Sequence, residues 1–346
     1  MIRLTIERLD SLLAGFSSKR VLVAGDFFLD KYLIIDRRLG EISLETGLEA
    51  HQVVAIGCSP GAAGTVAANL RSLGVQVTAL GVIGDDGQGY ELRRGLQGLG
   101  VDVSPLIEAA DLFTPTYTKP RVRERDGREH EIERLDIKNR SPLKAEIQNE
   151  LIRRLRDLAP VVDGIVVADQ VEQLDCGAIT RLVGEQIDAI GAQMPGKPII
   201  VDSRARIGER RNVMLKPNAA EAIRASGRKP ADRIDLEDAR CAGLALSRRT
   251  CREVFVTHGS EGVLVCSEDH ADHVPAVAIA GDIDVVGAGD SCLAGIVSSL
   301  CCGASAVEAA IVGNLIASIT IQQIGATGVA TPEQVRDRLA CSPCGG

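Results

Sequence analysis

Residues 20–26 read RVLVAGD, a short apolar run that ends at a glycine and an aspartate. An uninterrupted run of Val and Leu, without alternating polar residues, predicts a strand that is buried on both faces. Runs of the same kind recur along the chain: VQVTALGVIG (75–84), GIVVAD (164–169), KPIIVDS (197–203), VMLKPN (213–218) and EVFVTHG (253–259).

Segments with helical spacing of apolar residues separate these runs: GTVAANLRSLG (64–74), GYELRRGLQGLG (89–100), LKAEIQNELIRRLRDLA (143–159) and LEDARCAGLALSRR (236–249). Apolar strands that alternate with amphipathic helices are typical of a parallel sheet covered by helices on both faces. The sequence therefore predicts an α/β fold with a mainly parallel central sheet.

Two segments, 31–57 and 113–135, break this rhythm because they alternate apolar with polar residues. Asp126-Gly127 in the second segment is a typical hairpin turn. We expect both segments to form exposed antiparallel strands, a small sheet that caps one side of the main domain as a lid. No linker interrupts the chain, so we predict a single domain over residues 1–340 and a loose tail at 341–346.

The composition excludes several classes of partner. Lys plus Arg number 39 and Asp plus Glu 47, a formal net charge of −8, whereas a general nucleic-acid binder needs a basic surface. Aromatic residues make up 2% and Trp is absent, so aromatic platforms for stacking bases are scarce. We therefore expect no nucleic-acid partner.

The chain is expected to be cytoplasmic and to have no membrane partner. Its first residues, MIRLTIERLDSLL, carry charges at helical spacing and lack the apolar region of a signal peptide. The uncharged stretch 309–332 contains polar residues such as Asn314, and we interpret it as buried core. Ten cysteines, mostly in apolar stretches, indicate reduced thiols; Cys341 and Cys344 have metal or redox spacing, but no second pair accompanies them.

The sharpest local feature is DVVGAGD at 284–290, followed by the helical pattern SCLAGIVSSLCC. A glycine loop that opens onto a helix aims unpaired N–H groups and the positive end of the helix dipole at one point. This pattern indicates an anion site, with Asp290 at the end of the loop. The alternative for Asp290 is a simple helix N-cap.

A second candidate site follows the strand VMLKP, at Asn218 and Glu221. The P-loop pattern GxxxxGK[ST] occurs nowhere in the chain, so its lysine and magnesium-binding hydroxyl are missing. An amide and a carboxylate one helical turn apart can instead face one cleft and hold hydrated Mg²⁺ beside phosphates. A helix that merely starts with an asparagine cap is the alternative.

Taken together, these features make the chain resemble the PfkB, or ribokinase-like, family of carbohydrate kinases over nearly its whole length. The matching segments occur in the family's order: GDFFLD (25–30), SPGAAGTVAANLRSLG (59–74), GVIGDDGQG (81–89), KPNAAE (216–221), VTHGSEGVLV (256–265), DVVGAGD (284–290) and GNLIASI (313–319). RVLVAGDFFLDKY, TPTYTKPRV and IERLD resemble the kinase domain of bifunctional enzymes that make ADP-heptose. The resemblance implies a ribokinase-like three-layer sandwich with a small β-sheet lid, and ATP and Mg²⁺ as cofactors.

The resemblance also implies which residues carry out phosphoryl transfer. Asp290 matches the base that takes the proton from the sugar hydroxyl. The backbone amides of Gly287, Ala288 and Gly289 match the anion hole around the transferred group.

Nucleotide-binding residues are implied in four segments of the chain. They are Asn218 and Glu221 of the N-x-x-E element near phosphates and Mg²⁺ (through water), Thr257, Gly259 and Gly262 of the nucleotide-binding turn, Gly287 and Gly289 of the anion hole, and Asn314 beside the adenine pocket. For Asn314, a buried helical asparagine is the alternative.

Sugar contacts are implied for Asp30, which matches the carboxylate that binds sugar hydroxyls, and for Gly61, where the backbone approaches the sugar. The chain departs from the family's GGxxN pattern here, because Ala62 replaces a glycine and Thr65 replaces the asparagine.

Three cations of the expected lid, Lys119, Arg121 and Arg134, would face a sugar that already carries a phosphate. A solvated charged strand is the alternative, since RVRERDGREHEIER alternates in sign. Heptose kinases have DYxKG and DPK after two central strands, whereas this chain has DQVEQ at 169–173 and DSR at 202–204. These departures affect the identity of the sugar more than phosphoryl transfer itself.

The sequence thus predicts an ATP- and Mg²⁺-dependent kinase for a sugar, best matched by a sugar phosphate such as D-glycero-D-manno-heptose 7-phosphate. Two alternatives stay open: a kinase of the same family for another sugar, a hexose phosphate or a nucleoside, and a non-catalytic sugar or nucleotide sensor. Exposed strand edges need a partner, so we also expect a homodimer that forms through the β lid.

Overall fold

The computed structural model describes residues 4–124, 126–325 and 327–341. The strands in these residues are β1 (Arg20–Gly25), β2 (Phe27–Asp36), β3 (Glu41–Ile42), β4 (Glu49–Ala50), β5 (Val53–Ala62), β6 (Gln76–Leu80), β7 (Val82–Gly84), β8 (Ile107–Ala109), β9 (Thr116–Arg123), β10 (Glu129–Glu131), β11 (Leu135–Ile137), β12 (Gly164–Asp169), β13 (Ile199–Ser203), β14 (Met214–Leu215), β15 (Val254–Thr257), β16 (Val263–Ser267) and β17 (His270–Val274). Cys344 and most of the expected tail lie outside the described residues.

The α-helices are α1 (Ile6–Phe16), α2 (Ala63–Ser72), α3 (Gly87–Gly98), α4 (Ala145–Leu158), α5 (Arg181–Gln193), α6 (Ala219–Ala225), α7 (Leu236–Thr250), α8 (Ala288–Cys301), α9 (Ala306–Thr320) and α10 (Pro332–Ala340). Short 3₁₀ turns occur at Arg37–Leu39, Ala159–Val161, Ile207–Glu209 and Gly259–Glu261. In the part of the chain that the structure describes, no helix is long and apolar enough to span a bilayer.

Eight strands form the central sheet, in the order β17-β16-β15-β14-β13-β12-β1-β6. The strands from β6 to β15 in this order run parallel, and β16 and β17 add an antiparallel edge. The run at 75–84 divides into β6, which stays in the sheet, and β7, which pairs with β8 outside it. The predicted mainly parallel sheet is confirmed.

Side chains of each central strand alternate between two apolar cores. In β1, Val21 and Val23 face one core, while Leu22 and Ala24 face the other. Helices α1, α2, α3, α8, α9 and α10 pack on the first side and α4 to α7 on the second. Because helices cover both faces, the strands are apolar without alternation, and the three-layer sandwich is confirmed.

The lid is a second sheet in the order β10-β9-β2-β5, with β11 also paired to β9. The predicted turn joins β9 to β10, where the N–H of Gly127 donates to Glu124 O at 2.9 Å. The expectation of antiparallel pairing throughout was wrong for one pair, since β2 and β9 run parallel. Both strands leave the main domain at the same edge, so they enter the lid in the same direction.

Strand β5 passes directly into α2 at Ala62, the residue that replaces a glycine of the family pattern. Its φ of 53° and ψ of −119° lie in a region that residues with a side chain rarely adopt. The next residue, Ala63, has a fully buried side chain in the first turn of α2. The chain therefore holds backbone strain at the junction of lid and main domain.

We predict that Ala62→Gly raises the free energy of unfolding by about 1 kcal/mol. Relief of strain of about 1–3 kcal/mol exceeds the added entropy of an unfolded glycine, about 0.4–1 kcal/mol. Ala63→Gly is the matched control and should lower stability, because helical φ suits alanine and the methyl group is buried. Urea unfolding measures both variants, and an equal loss of stability in the two would contradict strain at Ala62.

Candidate active site

A cleft of about 520 Å³ opens between the lid and the carboxyl edge of the central sheet. Side chains from both sheets and from the start of α8 surround it. They belong to Phe28, Asp30, Ala62, Thr65, Pro115, Tyr117, Lys119, Arg134, Lys138, Asn139, Gln170, Val171, Glu172, Gln173, Cys176, Arg204, Val286, Gly287, Asp290 and Thr327. The structure therefore brings Gly287 and Asp290 of the GAGD loop to one cavity with most of the predicted sugar-side residues, namely Asp30, Ala62, Thr65, Lys119 and Arg134.

Asp290 stands in the first turn of α8, at the floor of this cleft. The turn before it depends on Gly287, whose φ of 80° favours glycine and where a Cβ would come 2.9 Å from a methyl of Thr327. The first N–H groups of a helix have no acceptor within that helix, so the amides near Asp290 are arranged for an anion. The N–H of Ala288 already has an acceptor, because it donates to Val285 O at 3.2 Å.

The charge state of Asp290 is set by its surroundings. Burial and, second, the nearby Asp202 carboxylate raise the pKa of Asp290 to about 7, against the opposing charges of Lys216 and Arg204. A carboxyl group with this pKa can both hold and release a proton near neutral pH, as a general base requires.

Lys216 is a site residue that sequence reasoning missed. Its side chain is buried, and Nζ lies 2.8 Å from Asp202 Oδ2. Burial opposes the lysine charge, but the ion pair with Asp202 raises the pKa of Lys216 above its ordinary value. Nζ also lies 3.4 Å from the place of a Cβ on Gly289, beside the anion hole. The signal was a lysine directly after the apolar strand β14, in KPN.

On the sugar side, Asp30 lies within β2 and faces β5. Lys119 Nζ lies 2.8 Å from Asp30 Oδ1, so this cation holds the carboxylate rather than standing free for a phosphate. A Cβ on Gly61 would come 2.4 Å from Asp30 Oδ2, which explains the glycine by its contact with Asp30. Thr65 is nearly buried at the start of α2 and lines the cleft beside Ala62.

A cationic wall forms the outer side of the cleft. The Tyr117 ring lies 4.4 Å from the Arg134 guanidinium and 5.3 Å from Lys138 Nζ. Both cations are paired with Asp136, at 2.7 and 3.1 Å. Arg121 instead lies over Tyr32 and is not among the residues that line the cleft.

Arg204 and Lys138 were also missed at the sequence level. Arg204 lines the cleft close enough to Asp290 to lower the pKa of that carboxyl group. The signal for Arg204 was its position directly after β13, while Lys138 follows the short strand β11 beyond the segment assigned to the lid.

The predicted nucleotide residues Asn218, Glu221, Thr257, Gly259 and Gly262 lie just beyond the neighbouring strands β14 and β15 or at their ends. Asn218 and Glu221 form a reciprocal helix cap: Asn218 Oδ1 accepts from the Glu221 N–H at 2.9 Å, and Glu221 Oε2 accepts from the Asn218 N–H at 2.8 Å. Asn218 is bridged to Thr257 at the end of β15. Gly259 lines a second hollow of about 570 Å³, and Gly262 follows with a φ of 97°.

The structure shows Asn314 as a buried asparagine within a helix, which was the alternative to a position beside the adenine pocket. Its Nδ2 donates to Val274 O at 3.0 Å and to Pro275 O at 3.1 Å. These bonds tie α9 to the chain after β17, so the amide of Asn314 supports the fold at this place.

The charges around Lys216 fit a divalent cation with phosphates. Burial and, less strongly, the nearby Asp202 carboxylate raise the pKa of Glu221 above its ordinary value. The helix cap uses one oxygen of Glu221, Oε2. Carboxylate and amide oxygens are ligands that hydrated Mg²⁺ prefers, and Glu221 with Asn218 would hold the ion through water.

Comparisons with known proteins show the family and the fold of this chain. The model of the pfkB family carbohydrate kinase matches residues 33–334. The "Bifunctional protein HldE" of Trichlorobacter lovleyi is 31% identical over 329 residues, which cover 94% of this chain and 64% of that protein. The protein of the same name from Caulobacter vibrioides is 31% identical over 92% of this chain and 63% of its own length. The chain thus spans less than two thirds of these relatives.

Solved structures share the fold at lower identity. Phosphofructokinase-2 from Escherichia coli, in complex with substrates and products, has a TM-score of 0.67 and 20% identity over 93% of this chain and 98% of its own. Ribokinase from Arabidopsis thaliana, complexed with ribose and ATP, has a TM-score of 0.66 and 19% identity over 93% and 98%. The ribokinase-like fold is confirmed, and because the family match covers most of the chain, the chain belongs to the pfkB family of carbohydrate kinases.

Proposed function

We propose that this protein is an ATP- and Mg²⁺-dependent kinase that phosphorylates a sugar phosphate. The substrate that the resemblance favours is D-glycero-D-manno-heptose 7-phosphate, at its anomeric hydroxyl. The observation that carries the proposal is Asp290, which stands at a helix N-terminus on the floor of a cleft whose opposite wall bears Asp30, Arg134 and Lys138.

The cleft supports a direct transfer. Asp290 takes the proton of the sugar hydroxyl while that oxygen attacks the γ-phosphorus of ATP, and the bond from the γ-phosphorus to the bridging oxygen breaks to release ADP. The N–H groups of Gly287 and Gly289, with Lys216 beside them, stabilise the negative charge on the transferred group. A bound Mg²⁺ supplies further neutralisation of the phosphates.

Sugar binding and phosphate binding divide between two parts of the cleft. Asp30, held by Lys119, accepts hydrogen bonds from sugar hydroxyls. Arg134, Lys138 and Arg204 carry the charge that the phosphate already on the sugar requires. Arg134 and Lys138 share a single carboxylate partner, Asp136, so a phosphate on the sugar can neutralise the second positive charge, which favours a sugar phosphate over a free sugar.

The first test is ADP release with Mg-ATP over a panel of heptose 7-phosphate, hexose phosphates, free hexoses, ribose and adenosine. We expect turnover on the heptose phosphate, and Asp290→Asn should lower kcat by roughly 100- to 10,000-fold because the base is lost. Asp269→Asn, an exposed aspartate between β16 and β17, is the control and should retain full activity.

Other results of this panel would select the alternatives. Turnover only on another sugar or on a nucleoside would keep the kinase and discard the heptose. Binding of ATP and sugar without any turnover would favour a sensor of the same fold and contradict the proposal.

A further prediction concerns the pH dependence of kcat/KM. Since burial raises the pKa of Asp290 to about 7 and only the carboxylate can accept the proton, kcat/KM should rise with pH through about 7 and level above it. Both substrates are kept well below their KM, so that the profile reports the free enzyme. Asp202→Asn removes the like charge and should move the acidic limb to lower pH; an unmoved limb would contradict the assignment to Asp290.

We propose further that the protein forms a homodimer through its lids. Strand β5 is an edge of the lid sheet, and its Val54 and Ile56 are 45% and 63% exposed. Ile42, Leu44 and Leu48 on the neighbouring β3–β4 hairpin are more than 60% exposed. An apolar edge strand of this kind needs a covering partner, and a second copy of the same strand supplies one.

Light scattering after size exclusion at micromolar concentration should give twice the chain mass of 36.6 kDa. Ile56→Lys should shift the protein to the monomer, because a charge on this edge opposes pairing. Leu182→Lys, at a 48% exposed position on α5 outside the lid, should leave the dimer intact. A monomeric wild-type protein would overturn the dimer.

A further inference from the structure

A buried polar cluster lies behind the cleft, at the carboxyl ends of three neighbouring strands. Asp26 follows β1, Asp169 ends β12 and Ser203 ends β13, and all three are at most 5% exposed. Arg206 completes the cluster, with its guanidinium paired to Asp169 Oδ1. None of these residues lines the cleft, so the reaction described above does not use them.

Asp26 holds the segment 170–178, which joins β12 to the start of α5 and has no regular structure. Its carboxylate accepts backbone N–H groups from Gln170 at 2.7 Å, Val171 at 3.0 Å and Ala178 at 2.7 Å. These contacts secure the segment at both of its ends. A carboxylate that accepts several buried amides is a strong anchor, because those amides would otherwise lack acceptors.

Close packing around the Asp26 carboxylate leaves no room for a side chain at position 177. A Cβ on Gly177 would lie 2.6 Å from Asp26 Oδ1 and 2.8 Å from the Val171 Cβ. Only glycine lets the segment fold back onto the Asp26 carboxylate at this distance.

Arg206 ties the same segment from the other side. Its guanidinium donates to Val171 O at 2.7 Å and to Glu172 O at 3.0 Å while it pairs with Asp169. Asp169 Oδ2 accepts from Ser203 Oγ at 2.6 Å. The segment is therefore joined to two further strands of the sheet.

The anchored segment forms one wall of the cleft. Gln170, Val171, Glu172, Gln173 and Cys176 all line it. An amide side chain can both donate and accept, so it matches sugar hydroxyls well. A connecting segment without regular structure is mobile by default, and ordering it before the ligand arrives removes part of the entropy cost of binding.

We infer that Asp26 and Arg206 are positioning residues for sugar recognition: they hold segment 170–178 as a rigid wall from which Gln170 and Gln173 contact the hydroxyls of the sugar phosphate. The inference rests on the proposed function and adds the residues that read the sugar. Asp26 and Arg206 act through the segment and do not touch the substrate.

The test compares Asp26→Asn and Arg206→Gln with the wild-type protein. Asp188→Asn is the matched control, because Asp188 likewise accepts a backbone N–H, that of Arg211 at 3.0 Å, and pairs with Arg210, away from the cleft. Hydrogen exchange of segment 170–178 is followed without substrate, and KM values for the sugar phosphate and for ATP are measured separately.

Both cluster variants should exchange the amides of 170–178 at least tenfold faster and raise KM for the sugar phosphate at least tenfold, with KM for ATP within twofold of wild type. Asp188→Asn should lower the melting temperature without either change. If Asp26→Asn fails to fold, Arg206→Gln alone decides. Unchanged exchange, an unchanged sugar KM or an equal rise in both KM values would overturn the inference.

These results separate the inference from the function on which it rests. A wild-type protein that turns over none of the panel refutes the kinase. An active wild-type protein whose cluster variants keep its sugar KM refutes only the role of Asp26 and Arg206.

Discussion

Parallel strands bring all of their carboxyl ends to one edge of a sheet, and here that edge must accommodate buried charge. Asp26, Asp169, Asp202 and Lys216 lie at the carboxyl ends of four adjacent strands, and Asp290 joins them from the start of α8. Charges buried so close together are tolerated only when each is paired or hydrogen-bonded. The arrangement of the cleft follows from how these pairs are made.

The pairs divide the edge into two parts. Lys216 with Asp202 occupies the part under the anion hole, where burial and, second, the Asp202 carboxylate raise the pKa of Asp290 while Lys216 opposes them. Arg206 with Asp169 occupies the other part and faces away from the cleft into the segment after β12. One pair therefore adjusts the proton affinity of the base, and the other supports the wall beside the substrate.

In the lid, as at the sheet edge, ion pairs hold the charged side chains that line the cleft. Asp30 is kept in place by Lys119, and Arg134 is kept over Tyr117 by Asp136. Because most lid cations already have carboxylate partners, the wall is preorganised, and less entropy is lost when an anionic ligand binds. The strain at Ala62 lies where this wall meets the main domain.

The sequence by itself determined the α/β class, the lid and its hairpin turn, because strand burial, helical periodicity and Asp-Gly turns are local patterns. It also singled out Asp290 and Gly287, since a glycine loop before a helix can be recognised from the seven residues 284–290 alone. Only the tertiary structure decided that β2 and β9 pair in parallel, that the Asn314 amide donates to the backbone at Val274 and that Lys216 and Arg204 stand beside Asp290. These outcomes depend on which strand ends meet, and residues 40 to 87 positions apart approach one another only when the sheet has formed.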